Sequence, residues 1–335
     1  MARQYGDSRS ITSIATVGIV LAILLFIMLG IGWYWSREPV QFDVRELALQ
    51  EAEARGEQVV TGYVTTATLI EVIETLLNKN GGFLSNDIMP PSIFLDNIPN
   101  WEYGVMIQAR DLIKSMRNDF SRSQTQSTED PSLRSAEPKL NFEVDSWWLP
   151  STESEYEQGI ERLQNYLSRL ADTRQQNAQF YARADNLRDY LRIMETRLGS
   201  ISQRLTASVG QDRLNTDLDT DAQPSTPQAE HTDVKTPWLE IDNVFFEARG
   251  ATWAMVHFLK AIEIDFADVL AKKNATVSLR QIIRELEATQ AELHSPIVLN
   301  GEGLGLLANH SLTIATYIAR ANAAMNDLST LLAQG

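Results

Sequence analysis

Apolar residues follow two patterns along this chain, one solid and one periodic. The solid one covers residues 14–35, where no charge falls between Arg9 and Arg37. At helical rise it spans roughly 33 Å, enough for the hydrocarbon core of a bilayer, and it predicts a transmembrane helix. The periodic pattern fills most of the rest. Residues 43–55, rich in Glu, Ala and Leu and stopping at Gly56, read as a first helix or stalk. The short apolar run 59–64 reads as a strand, although no second strand signal pairs with it. Residues 66–79 carry Leu69, Val72, Ile73, Leu76 and Leu77 on one helical face and end at Asn80-Gly81, as a helix C-terminus should. Pro90, Pro91 and Pro99 forbid a single helix over 82–100, which is unusually apolar for a loop. A further helix is predicted over 100–121 through Val105, Ala109, Leu112, Met116 and Phe120, and 123–137 reads as polar connecting chain.

Heptad spacing is clearest in the middle of the chain. Tyr156, Ile160, Leu163, Leu167 and Leu170 alternate steps of four and three, as do Ala184, Leu187, Leu191, Met194, Leu198, Ile201 and Leu205. Thr152 with Glu155 reads as a capping box at the first start. Continuing the register through Arg174 and Asn177 would bury polar groups, so a turn near Asp172 predicts an antiparallel hairpin over 152–209. Such a hairpin would set Glu153, Glu155, Glu157 and Glu161 beside Arg188, Arg192 and Arg197. Residues 210–236 turn acidic, contain proline and lack large apolar groups, the composition of a disordered linker. Thr236-Pro237 then restarts helix. Residues 243–273 are apolar nearly all round, so that helix must be surrounded by others. Shorter helix follows from Ser278, with Gln281 as its capping partner, and the last is predicted over about 304–332 with Leu307, Ile314, Ile318, Ala321, Met325, Leu328 and Leu332 in its seam.

The expected fold class is therefore all-α. One N-terminal transmembrane helix precedes a bundle of about six to eight helices with long antiparallel heptad-patterned members. The division is a short tail (1–13), the membrane helix (14–35), a first helical region (36–209), the linker (210–236) and a C-terminal helical region (237–335) that packs on the first. Arg3 and Arg9 precede the span, whereas acidic residues from Glu38 to Glu57 dominate after it, which favours a cytoplasmic N-terminus and a translocated remainder. Trp33, Tyr34 and Trp35 sit where the helix should leave the lipid. A cleaved signal peptide is the competing reading, but the apolar region is longer than usual and bulky aromatics follow at once. The formal net charge of −15 makes nucleic acid and anionic lipid poor partners. The chain has no cysteine, which removes disulfides, thiolate nucleophiles and Cys-bound metal, and fits a bacterial periplasm. Gly18 and Ala22 make one small-residue step that could let two spans pack as a homo-oligomer.

Chemistry is harder to find. His231 lies in the linker, and neither His257 nor His310 shares a helical face with a carboxylate or second histidine, so no metal or other cofactor is expected. Glu263, Asp265 and Asp268 form an acidic cluster, but Asp268 faces Lys272, and the other two point apart. The sequence 300–305, NGEGLG, lacks the Lys-Ser/Thr of a phosphate loop. The residues best suited to bind something are aromatic: the adjacent Trp147 and Trp148, with Phe94 inside the proline-rich segment and Trp101 just after it. They could stack on a sugar, touch a membrane surface, anchor a partner, or simply plug the ends of a bundle.

Several stretches resemble, together, the bacterial single-span membrane family known as domain of unknown function 2333: GWYWSREP, LLNKNGGFLSND with the following PP, NWEYGV, FYARADNL, TRLGSISQRLTASVG, and DNVFFEARGATWA through DFADVLAKKNATVSLRQIIRELE to LANHSL. The resemblance covers all but the acidic linker. It implies an inner-membrane protein of Gram-negative type and supplies no reaction, substrate or site residue. The expected function is a non-enzymatic envelope scaffold that binds a protein partner; a cell-wall or small-molecule-binding module using the Trp pair, and an enzyme using Glu263 or Asp265, are the alternatives.

Overall fold

The computed structural model describes residues 5–123, 127–214, 231–295, 297–301 and 306–334, with side chains described outside 5–14, 211–214 and 231–234. Among these residues it is all-α, with eleven α-helices and one small two-stranded ribbon. Helix α1 (Tyr5–Trp35) is long and apolar enough over residues 15–35 to cross a membrane, and its large apolar side chains stand exposed. The remaining ten helices share one hydrophobic core.

Helix α8 (Ile241–Asp265) is the axis of that core. It is buried nearly all round, as its sequence requires, and is packed by α2 (Val44–Arg55), α3 (Tyr63–Asn78), α4 (Asn97–Ser115), α7 (Ala184–Thr206) and α10 (Thr276–Ala288). Its closest neighbour is α4, and two glycines explain why. A Cβ on Gly104 would lie 2.1 Å from the Glu247 carbonyl oxygen, and one on Gly250 would lie 2.0 Å from that of Trp101. The backbones touch there, and only glycine fits on either side.

Ion pairs and rings fix directions. Gly104 lies by Glu247 and Phe120 lies 5.4 Å from Phe266, so α4 and α8 run parallel. Helix α7 runs the other way, with Arg204 on Glu247, Arg197 on Asp111 and Tyr190 5.9 Å from Phe120. Helices α3 and α10 also oppose α8. Asp265 caps the start of α3, while Arg280–Glu263 and Arg249–Thr289 bracket α10. Helix α11 (His310–Ala333) lies antiparallel on α7, where Asn326 donates to Glu195 at 3.1 Å and Gly199 faces Asn322. The bundle thus has two ends. One gathers the exit of α1, the C-termini of α3, α7 and α10, and the N-termini of α4, α8 and α11; it is called the α1 end below.

Local signals account for the helices that were foreseen. Asp43 accepts from the Arg45 and Glu46 N–H groups and Gly56, at φ 65°, closes the same helix. Other expectations need correction. Residues 59–64 are no strand: Tyr63 already belongs to α3, whose start is capped from afar by Asp265. Helix α4 begins at Asn97, with Pro99 in its first turn where a missing N–H costs nothing, and widens into a π turn over Met116–Phe120. The supposed connecting chain 123–137 holds most of a helix, α5 (Pro131–Leu140), opened by Asp130 as cap and Pro131 at the first position.

The hairpin over 152–209 is the largest correction. Helix α6 (Thr152–Ala171) pairs antiparallel with α5, through Asp130–Arg169, Ser132–Asn165 and Lys139–Glu155, whereas α7 pairs with α11. The chain from Asp172 to Arg183 instead crosses the core's edge, where Phe180 lies 5.2 Å from Phe120 and 5.7 Å from Phe266. Glu155 pairs with Lys139, and Arg188 with Asp189. Smaller corrections concern the caps. Ser151, not Thr152, caps α6. Ser278 lies inside α10, and α11 starts at His310 with Asn309 as cap, leaving Leu307 exposed outside the helix. The ends of the expected linker pair as an antiparallel ribbon, β1 (Gln211–Leu214) with β2 (His231–Val234), while residues 215–230 lie outside the described residues.

Because the glycine crossing is backbone on backbone, Gly104→Ala and Gly250→Ala should each cost about 1–3 kcal/mol or more, by forcing α4 and α8 apart. Gly56→Ala, where nothing lies within 4 Å, should cost about 1 kcal/mol from its positive φ alone. Denaturation midpoints of the three variants in detergent check this order.

Candidate functional site

What distinguishes the α1 end is how the chain leaves α1. In place of a free tether, residues 35–42 are packed on the bundle at three points. The Trp35 indole covers Gly81, where a Cβ would sit 2.7 Å from the ring. Glu38 reaches the central helix: its carboxylate accepts from Arg249 Nε and Nη2, both at 2.7 Å. Arg249 Nη1 donates in turn to the Thr289 and Ala291 carbonyls at 2.9 Å, tying in the end of α10. Phe42 lies over His257, ring centroids 4.1 Å apart and nearly parallel, and its N–H donates to Nε2 at 3.1 Å. That leaves His257 Nδ1 to donate to the Trp253 carbonyl at 2.8 Å. Burial depresses the His257 imidazole to about 4, so it sits neutral, and both its nitrogens are used.

A second set of contacts builds the loops around this exit. Lys79 and Glu102 form a buried ion pair at 2.6 Å, and Glu102 also accepts from the Leu84 N–H at 2.9 Å and the Ser85 hydroxyl at 2.5 Å. This pins the chain after α3 onto α4. A Cβ on Gly32, inside α1, would meet Leu95 at 3.6 Å and Pro91 at 3.7 Å, so the loop carrying Ile88, Met89, Ile93 and Phe94 lies beside the last turns of α1. Asn86 donates to the Ser146 carbonyl at 2.9 Å and to Glu153 at 2.8 Å, which brings the Trp147–Trp148 loop next to it.

The aromatic candidates separate here. Trp147, Trp148 and Phe94 are all exposed at the α1 end, Trp148 at 66% and Phe94 at 72%. The two indoles meet edge to face at 5.2 Å. Trp101 is not a surface group. It is fully buried at the glycine crossing, 5.2 Å from Trp253, and belongs to the core. Trp238 and Leu239, in the 3-10 turn that opens α8, add to the exposed apolar surface. Burial and then the nearby charge of Asp96 raise the Asp242 carboxyl.

The acidic candidates have structural partners. Asp265 is buried and accepts from the N–H groups of Gly62 and Thr65 and from the Thr65 hydroxyl at 2.7–2.8 Å. Burial lifts its carboxyl to about 6 against those donors. Glu263 pairs with Arg280 at 2.6 Å. His310 Nδ1 accepts from the Leu299 N–H at 3.1 Å, and Asn300-Gly301 folds back on Ala308-Asn309 to set the cap of α11; residues 302–305 of the glycine-rich stretch lie outside the described residues. A polar groove of about 400 Å³ between α4, α5 and α7 is lined by Tyr103, Arg110, Asp111, Lys114 and Arg197, and neither Trp147 nor Trp148 lines it. Among the described residues no three His, Asp or Glu side chains converge as a metal site requires.

Sequence reasoning passed over Glu38, Phe42, Arg249 and His257 as a set. A signal existed: a guanidinium and an imidazole inside a helix that is apolar on every face must have buried partners.

A family model described as an uncharacterised protein conserved in bacteria (DUF2333) matches residues 8–335. No curated protein and no solved structure matches the chain.

Two outcomes follow for the junction. Arg249→Met should destabilise the chain by about 3–5 kcal/mol, because it strands the Glu38 carboxylate and two carbonyls. His257 is neutral when folded down to about pH 4 but titrates near 6.5 when unfolded, so the stability it contributes is full above pH 6.5 and is lost as pH falls towards 4. His257→Gln should remove on the order of 2 kcal/mol of that acid sensitivity, read as the difference in denaturation midpoint between pH 7 and pH 4.5.

Proposed function

The chain belongs to the DUF2333 family of uncharacterised bacterial proteins, and we propose that it is a single-span inner-membrane protein whose helical bundle serves in the periplasm as a non-enzymatic scaffold for a protein partner. The observation that carries this reading is the packed junction. A tether would hold an enzyme near a membrane equally well; Trp35, Glu38 and Phe42 instead lock the exit of α1 to the central helix. Fixed orientation is what a scaffold needs.

Further observations support it. The side chains of α1 that stand exposed would each cost about 1.5–3 kcal/mol in water relative to burial, a cost that lipid removes. The charge bias about the span, Arg3 and Arg9 before it and an acidic stretch after it, favours a periplasmic bundle. Asp265 and Glu263, the groups an enzyme would use, are engaged in a helix cap and an ion pair. An uncleaved anchor fits better than a signal peptide, because Gly32 and Trp35 are seated against residues 81–95.

Alkaline phosphatase fused after Gly335 should be active, and proximity labelling from the same position should recover envelope proteins. Activity of a C-terminal reporter only in the cytosol would overturn the topology. Labelling and crosslinking that find no protein neighbour would overturn the scaffold.

A further inference from the structure

The exposed apolar residues of the bundle are unevenly distributed. Met89, Phe94, Trp147, Trp148, Trp238 and Leu239 all lie at the α1 end, whereas at the opposite end the largest exposure is the single Val277 at the start of α10. Exposed apolar side chains gathered at one end in this way mark a place that meets something other than water. Two observations say what covers it. First, the rim is level with the span: Pro91 and Leu95 touch Gly32, which lies inside the apolar stretch of α1, so the loop bearing Met89 and Phe94 stands beside the last helical turn before Trp35. At that height a protein partner would have to enter between the bundle and the lipid. Second, the rim is rich in Trp, the side chain that settles at the headgroup level with one face apolar and one N–H wet; Trp33 and Tyr34 on α1 are exposed at the same level, and the Arg37 guanidinium lies 4.1 Å over the Trp33 ring.

We infer that this rim is a second membrane contact: the 88–94 loop, the Trp147–Trp148 loop and the Trp238 turn rest in the headgroup–hydrocarbon boundary of the bilayer that α1 crosses. The inference rests on the reading of α1 as a membrane span. The charge around the rim chooses the lipid. Asp87, Asp96, Asp145 and Asp242 stand among or beside these loops, so the surface fits zwitterionic lipid and is repelled by anionic headgroups. Apolar side chains, more than lysines, supply the attachment, and it should be insensitive to salt.

The natural absence of cysteine makes the test direct. Single substitutions Leu24→Cys, Met89→Cys, Phe94→Cys, Trp148→Cys and Val277→Cys, all at exposed positions, each carry one nitroxide on the full chain in vesicles of phosphatidylcholine and phosphatidylethanolamine. Power saturation then compares oxygen, which concentrates in lipid, with a nickel chelate, which stays in water. The labels at 24, 89, 94 and 148 should favour oxygen, with 24 the deepest, and the label at 277 should favour nickel. If 24 favours oxygen while 89, 94 and 148 behave like 277, the span stands and the rim contact is wrong. If 24 itself favours nickel, the span reading fails. Labels at 89, 94 and 148 shielded from both reagents would mean that another protein surface covers the rim, and would also overturn the proposal.

Discussion

One buried cation holds this molecule together across its two halves. Arg249 sits in the middle of a helix with no polar face, where an unpaired guanidinium would be prohibitively costly. Its charge is met by Glu38, three residues beyond the end of α1, and its remaining donors by the carbonyls at the end of α10. A buried pair of this sort adds little net stability over an apolar substitute, but breaking it is expensive. Its effect is to specify position. The first residues after α1 have one place to go, and His257 beneath Phe42 closes the same seam with a neutral ring whose two nitrogens are both committed.

The glycine crossing makes that seam meaningful. With α4 and α8 in backbone contact, the two longest-buried helices behave as one unit, and the others are placed against it. Lys79–Glu102 and the Asn86 bonds fix the loops at the α1 end, while the Asp265 cap and the Phe120–Phe180–Phe266 cluster close the opposite end. One end is therefore closed, with Val277 its largest exposed apolar side chain, and the other carries the exposed aromatics. That asymmetry, more than any single residue, gives the bundle a direction relative to α1.

Much of the fold could be read from the chain, and the failures have a common cause. Helices α2, α3, α6, α7 and α8 follow from periodicity and caps, since those signals are local. Pairing is not local. The heptads of α6 and α7 state which face is buried, and nothing in them states that α5 covers one and α11 the other. Their complementary charges pointed to a hairpin, yet exposed pairs of this sort are worth only a few tenths of a kcal/mol and do not choose partners against a core. Helix α5 was hidden by its polar composition and Pro138, although Asp130-Pro131 signals its start. The aromatic candidates divide in the same way: Trp147, Trp148 and Phe94 share an exposed end, whereas Trp101, equally prominent in sequence, is committed to the glycine crossing. Burial of a tryptophan depends on what arrives from elsewhere in the chain.

The central claim is that α1 and the bundle are one rigid body. Pulsed electron–electron distance measurement between nitroxides at Leu29 on α1 and Val277 on α10, in the full chain in lipid nanodiscs, tests it most directly. A packed junction predicts a single narrow distance distribution that broadens in Arg249→Met. A broad distribution in the unaltered chain, like that of a chain whose residues 36–43 are replaced by Gly and Ser, would contradict it.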